Sequence, residues 1–286
     1  MTNVRELLPH DALRGRRIGV SISDSPDLGR LGLLTSHLRL ALGEIARAVL
    51  VAGGSLAYGG HLEPTGFTPF LAQELERYGA AEGRLLVCLG WPVHREVALS
   101  ELDRREEALG LVARVVYLDP HGEEIPKETD RGEAPEPTTD PVAMADGLTA
   151  MRRYLTAHVD ARVLLGGRRS GAAGRYPGLL EEALLALESG QPLFLAGGFG
   201  GVTADIADAL GVGLEWLPPA GDAPPADGLP LIREFRDAEE PWRALANGLD
   251  GAENARLAAS HRPSDVAALV TLGLGRVAAL DGDGGI

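Results

Sequence analysis

The sequence has little of the residues that build disulfides, metal centres or nucleic-acid interfaces. A single cysteine, Cys88, stands among 286 residues, so no internal disulfide can form. The seven histidines show no zinc-type spacing. A net charge of −14 disfavours nonspecific binding to nucleic acid, which depends on clustered Lys and Arg. We therefore expect no metal site, no required cofactor and no nucleic-acid partner.

Long apolar runs are also lacking. No uninterrupted run approaches the roughly 20 residues that a membrane span requires. The first residues, Met1 to Glu6, lack the basic, apolar and small-residue layout of a signal peptide. We expect a cytoplasmic protein with no membrane partner, and a 45% hydrophobic content is enough for the core of one large domain.

Short apolar segments alternate with amphipathic helical segments along most of the chain. This alternation is typical of an α/β fold whose sheet is mostly parallel, and it predicts a single domain spanning residues 1–286. The predicted strands are Arg16–Ser23, Ala52–Gly60, Arg84–Gly90, Ala113–Leu118, Ala161–Leu165 and Gln191–Ala196.

One polar stretch interrupts the alternation. From Pro120 to Pro141 the chain is rich in Gly, Pro, Glu, Asp and Thr and has almost no apolar residue, which indicates a surface loop or an ordered lid. We interpret it as an insertion (about 120–141), because the strand and helix pattern resumes at Asp140-Pro141, a typical helix start. The Gly- and Asp-rich tail from about residue 281 is expected to be loose.

The segment from Leu164 to Glu182 carries the strongest functional signal. A buried strand ends in Gly166-Gly167, an arginine-bearing loop follows, and Pro177 opens a helix. Glycines let backbone N–H groups approach a ligand, and a helix N-terminus attracts anions. Arginines add bidentate donors for phosphate. The segment predicts a site for an anionic, phosphorylated ligand, with an ordinary Gly-rich connection bearing solvated arginines as the alternative.

Similar glycine pairs flank other predicted strands and suggest a composite pocket. Ser21 and Ser23 are candidates for phosphate or ribose bonding, or for local turn bonding. Tyr58 and Phe199 are candidates for stacking on a base, or for packing. The residues predicted to bind the ligand are Ser21, Ser23, Arg30, Gly53, Gly54, Tyr58, Gly59, Gly60, Gly167, Arg168, Arg169, Gly174, Arg175, Pro177, Gly178, Glu182, Gly197, Gly198, Phe199 and Gly200.

These residues resemble a known superfamily. The ordered set of glycine exits, with Pro177-Gly178, Glu181-Glu182 and Gly197 to Gly201, is similar to the SLOG superfamily. That superfamily includes the LOG nucleotide phosphoribohydrolases, the DNA-processing Smf and DprA proteins, and sensor domains associated with sirtuin and TIR effectors. Among these groups, the chain resembles the sensor domains most. The resemblance spans about Arg17 to Gly275.

The resemblance implies a Rossmann-like sheet with helices on both faces. It also implies binding of a nucleotide-derived ligand over the carboxyl ends of the strands. ADP-ribose, a cyclic isomer of it, or an NAD-like molecule is the expected ligand, and signalling in bacterial defence is the expected context. The resemblance further suggests a homo-oligomer or an effector protein as partner.

The resemblance also raises an enzymatic alternative. The LOG enzymes carry a Pro-Gly-Gly-x-Gly-Thr-x-x-Glu signature and cleave a base from a ribose phosphate. Here the signature is split and incomplete: Val202 stands near the Thr position and Asp205 replaces the Glu. We therefore expect a binding or sensing protein. The alternatives are an N-glycoside hydrolase, with Glu181 or Glu182 as the catalytic carboxylate, and an oligomerisation partner of an effector.

Overall fold

The computed structural model of the chain describes residues 10–171, 173–213, 227–237 and 239–283, with side chains up to Leu280. Its strands are β1 (Arg17–Ser23), β2 (Ser55–Gly59), β3 (Leu85–Leu89), β4 (Ala113–Leu118), β5 (Glu124–Ile125), β6 (Ala161–Gly166) and β7 (Leu193–Ala196). Its helices are α1 (Thr35–Val51), α2 (Phe67–Arg77), α3 (Trp91–Arg95), α4 (Leu99–Glu107), α5 (Pro141–Ala157), α6 (Gly178–Glu188), α7 (Gly201–Ala209), α8 (Leu229–Arg233), α9 (Gly251–Ala259) and α10 (Pro263–Asp283). Short 3-10 turns span Gly29–Leu31, Gly197–Phe199 and Pro241–Leu245.

The described strands form one seven-stranded sheet in the order β5-β4-β3-β2-β1-β6-β7. All neighbouring pairs are parallel except β4 with β5. Val20 of β1 pairs with Tyr58 of β2 on one side and with Val163 of β6 on the other. Strands of this kind are apolar throughout because helices cover both of their faces. The prediction of an α/β single domain with a mostly parallel sheet is confirmed.

Successive strand residues pack against opposite layers of helices. In β3, Val87 belongs to the apolar cluster that contains the buried faces of α1 and α2. The next residue, Cys88, packs instead with Met151 and Leu155 of α5. Helices therefore cover both faces of the sheet as predicted, and the lone cysteine is a buried core residue.

The order of the strands reverses at β1. The chain adds β2, β3 and β4 on one side of β1 and then returns to place β6 and β7 on the other side. The connections after β1 and β6 consequently diverge, which leaves a crevice at the carboxyl ends of these strands. This crevice is where a ligand site is expected in an open parallel sheet.

Helix α10 is long and apolar enough to span a membrane by length and composition alone. Its window Pro263–Leu280 has a mean hydropathy of 1.3, although Thr271, Gly273 and Arg276 interrupt the apolar run. The helix packs along α1. Because a core helix meets the same criteria, this is weak evidence for a membrane. The backbone stays helical to Asp283, past the predicted start of the loose tail, and residues 284–286 lie outside the described residues.

The polar segment from Pro120 to Pro141 is ordered against α3 and α4. It contains β5, which forms a hairpin with β4 and is too short for the sequence pattern to reveal. Arg95 donates to the Thr129 carbonyl at 3.2 Å, and Arg131 donates to the His94 carbonyl at 2.9 Å. These bonds fasten the segment to the outside of α3.

We predict that Arg131→Ala loosens this segment without unfolding the protein. Arg131 donates two hydrogen bonds to backbone carbonyls, and losing a charged donor costs about 1.5 to 3 kcal/mol. Cleavage after Glu133, which precedes Ala134, by a glutamate-specific protease should therefore accelerate roughly tenfold or more under native conditions. Arg114→Ala, which removes only an exposed pair with Glu124, is the matched control. Equal cleavage rates in the two variants would contradict the prediction.

Candidate ligand-binding cleft

A cleft of about 680 Å³ opens at the carboxyl ends of β1, β2 and β6, beside the start of α6. It lies where the strand order reverses, the place at which open α/β sheets bind ligands. Nine of the predicted ligand residues line it, and they are Ser21, Ser23, Tyr58, Gly59, Gly60, Arg168, Pro177, Gly178 and Glu182.

One wall combines a glycine turn with a helix start. Gly166 and Gly167 have φ values of 68° and 105°, which residues with a side chain rarely adopt, so the chain turns sharply after β6. The turn leads Arg168 to the cleft, where its side chain is 70% exposed and 3.7 Å from the Asp24 carboxylate. The first turn of α6 begins at Gly178 and presents backbone N–H groups. This wall supplies charge and donors for an anion.

The floor of the cleft holds a buried carboxylate. Glu182 of α6 accepts hydrogen bonds from the Ser21 hydroxyl and from Arg162 Nη1, which also donates to Ser21 Oγ at 3.0 Å. Burial lowers the pKa of the Arg162 guanidinium, and the Glu182 charge opposes that shift. Ser21 is thus tied to Glu182 and Arg162, which position β1, β6 and α6 relative to one another.

A second buried ion pair joins α5 to α6, and the arginine of this pair is not among the residues predicted from the sequence. Arg152 of α5 lines the cleft and donates to Glu181, which also accepts from the Thr149 hydroxyl. Its Nε lies 3.9 Å from Glu182. The guanidinium fits because Gly174 and Gly178 have no side chain: a Cβ there would lie 2.8 Å and 3.0 Å from its nitrogens.

Two of the predicted ligand arginines are instead committed to a buried ion-pair brace. Arg169 is bidentate on Asp27 at 2.8 and 3.0 Å and also pairs with Asp205 at 2.7 Å. Arg30 binds the same Asp27 at 2.8 Å, and the N–H of Gly201 donates to it at 2.7 Å. Burial pushes the pKa of Asp27 up, but these donors outweigh it and hold that pKa well below its usual range. Arg169 therefore stabilises the loops and does not line the cleft.

Tyr58 lies in the cleft wall with most of its ring buried, which leaves little surface for stacking on a base. The residue is 6% exposed and belongs to the main apolar cluster, with the edge of its ring against Gly60. Burial raises the pKa of its hydroxyl, and the charges of Glu182 and Asp24 raise it further. The hydroxyl therefore stays protonated, as a donor within the cleft.

Several of the glycines predicted to bind the ligand instead pack against neighbouring residues of the protein. Gly53 and Gly54 precede β2 and lie at its amino end, against Arg14 and Leu13, on the edge opposite the cleft. A glycine pair before a short strand and one after it look the same in sequence, so the pattern does not show which pair lines the cleft. Gly167 packs under Leu179.

The glycine run after β7 also serves packing. A Cβ on Gly198 would lie 2.3 Å from the Ser260 backbone, and one on Gly200 would lie 2.4 Å from Asp27, while Gly197 abuts the Ala258 carbonyl. The fully buried Phe199 is a core residue and offers no stacking surface. Close approach of backbone to backbone explains these glycines without a ligand.

Arg175 lies outside the cleft. Its side chain is 62% exposed and 3.4 Å from Asp146, beside a separate cavity of about 290 Å³ that Arg153 and Tyr154 also line. Arg168 and Arg175 line different cavities, so their proximity in sequence does not place them at one site.

Other residues of the cleft gave no usable signal in the sequence. They come from α1, from the connection between β2 and α2 and from the first residue of α2, and they include Thr35, Arg39, His61, Glu63, Thr65 and Phe67. Arg39 lies over the Phe67 ring, 5.6 Å from its centroid. Arg162 was detectable, since an arginine within an apolar strand implies a buried partner.

A family model described as SLOG cluster2 matches residues 12–257. This range contains the whole sheet and every residue of the cleft. No curated protein and no solved structure matches the chain significantly.

The Asp27 brace predicts a stability defect. Asp27→Asn keeps the shape of the side chain but removes one of the two carboxylates that neutralise buried Arg169, so the free energy of unfolding should fall by about 3 to 5 kcal/mol. Since the folded-state pKa of Asp27 is depressed, its contribution is full above the unfolded value near 4 and is lost as the pH falls below it. Urea unfolding at pH 7 and pH 3 measures both effects.

The matched control is Asp146→Asn, which removes only an exposed pair with Arg175. It should change the free energy of unfolding by less than about 1 kcal/mol. If Asp27→Asn were no less stable than this control, the brace would not have the role assigned to it.

Proposed function

The chain belongs to the SLOG cluster2 family, and from this premise we propose that its cleft binds a nucleotide-derived ligand. Family membership supports a nucleotide-related function. ADP-ribose, a cyclic ADP-ribose isomer and an NAD-like molecule are the ligands that we propose, in a signalling role in bacterial defence. A homo-oligomer or an effector protein as the responding partner belongs to the same proposal.

The observation that carries the proposal is the meeting of two donor sources at one wall. The loosely paired Arg168 and the N-terminus of α6 both border the cleft. Backbone N–H groups at a helix start together with an arginine form a typical phosphate site. The protonated Tyr58 hydroxyl adds a donor for a ribose or phosphate oxygen.

The size and charge of the cleft agree with a small anion. About 680 Å³ lies within the usual range for pockets of cofactors and small ligands. A net charge of −14 repels long polyanions, whereas a local basic wall still attracts a small one. Buried Arg152, held by Glu181, is fixed beside the same wall.

Calorimetry with AMP, ADP-ribose and NAD tests the proposal. We expect at least one of them to bind at micromolar to millimolar concentrations. Arg168→Ala should weaken that binding roughly tenfold or more, because a charged donor to phosphate is lost. Arg175→Ala removes an exposed arginine outside the cleft and is the matched control, with unchanged affinity. Absence of binding by the wild-type protein at millimolar concentrations would reject the proposed function.

Hydrolysis of an N-glycosidic bond is the second candidate, favoured by the position of Glu182. A buried carboxylate at the floor of the cleft, 3.9 Å from Arg152, is placed to stabilise positive charge on a ribose during loss of the base. Water would add to the anomeric carbon, and the base would leave with a proton.

Chromatography after incubation with AMP distinguishes the two candidates. Hydrolysis predicts free adenine and ribose 5-phosphate from the wild type, with release reduced by about 100-fold or more in Glu182→Gln. Gln191→Ala alters a side chain of similar burial outside the cleft and should leave any release unchanged. Recovery of intact AMP after prolonged incubation, with binding detected by calorimetry, would support binding alone.

A further inference from the structure

A second cavity of about 390 Å³ continues from the cleft on the side of β3. We name it the side chamber. Gly59, Gly60, His61 and Glu63 border both spaces, and so do Arg152 and Glu182. The two spaces therefore meet at the carboxyl end of β2.

The walls of the side chamber are mainly apolar. Leu62, Leu89 and Met151 are almost fully buried there, while Val93, Val97 and Leu148 are half-buried. They come from the β2 exit, β3, α3 and its connection to α4, and α5. Half-buried apolar side chains around an open space leave hydrophobic surface for a ligand to cover.

The charged groups of the side chamber do not favour an anion. Arg105 pairs with Glu63 at 2.7 Å and also with Glu101, and Arg152 pairs with Glu181. Each described cation at the chamber is thus matched by a carboxylate, and exposed Glu96 adds a further negative charge.

The imidazole of His94 adds no positive charge. It is 1% exposed, and its Nε2 donates to the Leu118 carbonyl at 3.0 Å. Burial lowers its pKa to about 4; the Leu118 carbonyl opposes this shift, and the charges of Arg131 and Arg95 add to it. The ring is therefore neutral at physiological pH, and the chamber holds no described cation without a carboxylate partner.

We infer that the side chamber holds the uncharged ring of the ligand, a nucleobase, while the phosphate lies at the Arg168 wall of the main cleft. This inference rests on the proposed function and assigns an orientation to it. The two ends of the ligand lie on opposite sides of the β2 exit because donors for an anion line one space and apolar side chains line the other. An amino group on the ring is compatible with the carboxylate of Glu96 at the chamber, whereas this carboxylate would repel a second phosphate.

Filling the chamber tests the inference. Val97→Trp places a large side chain at a half-buried position of the chamber that does not line the main cleft. We expect the affinity for AMP to fall roughly tenfold or more, and the affinity for ribose 5-phosphate, which has no ring to place there, to stay within about twofold. Leu148→Trp is the second variant, from α5. Val51→Trp, an exposed position on α1 outside both spaces, is the matched control.

The wild-type protein supplies an independent comparison, since AMP should bind at least about tenfold more tightly than ribose 5-phosphate. Equal wild-type affinities for the two probes would overturn the inference, and so would equal losses for both probes in a folded chamber variant or unchanged AMP binding in it. In each of these outcomes the proposed function stands. If the wild type binds none of the nucleotides nor ribose 5-phosphate, the proposed function fails together with the inference.

Discussion

Buried pairing between arginines and carboxylates is the constraint on which the site depends. A guanidinium taken out of water is costly unless a carboxylate and further hydrogen bonds meet it. Arg169 meets Asp27 and Asp205, and Arg162 meets Glu182. Each pair joins elements that are distant in the chain. Movement of the loop after β1 or of the loop after β6 would therefore leave a buried charge without its partner. The pairs hold the exits of β1 and β6 and the start of α6 and α7 in one arrangement.

This constraint divides the arginine-bearing loop by task. Arg169 is buried and bonded to Asp27. Its neighbour Arg168 lines the cleft. Arg175 reaches a different cavity. Among these three arginines, only Arg168 both lines the cleft and has an exposed partner, 3.7 Å away, that the proposed ligand phosphate would replace. Stability and binding are thus assigned to adjacent residues.

The main cleft and the side chamber, which meet at the sheet edge, also differ in the groups that line them. Donors concentrate at Arg168 and the α6 start, while α3 and α5 bring apolar side chains to the β3 side. The polar segment 120–141 supports α3 from outside through Arg95 and Arg131 and lines neither the main cleft nor the side chamber. The segment therefore supports the α3 wall of the side chamber from outside, whereas a lid would cover the opening of the cleft.

The sequence by itself determined the α/β class, the parallel sheet, the core position of Cys88 and the place of the cleft at Ser21, Gly59 and Arg168. Apolar periodicity and glycine turns are local properties, so they can be detected in a linear chain. The tertiary structure alone decided which glycines line the cleft and which, like Gly54 and Gly198, admit a neighbouring backbone or side chain. It also decided that Arg152 enters the cleft and Arg169 does not, because the partner of a buried charge lies on an element far away in sequence.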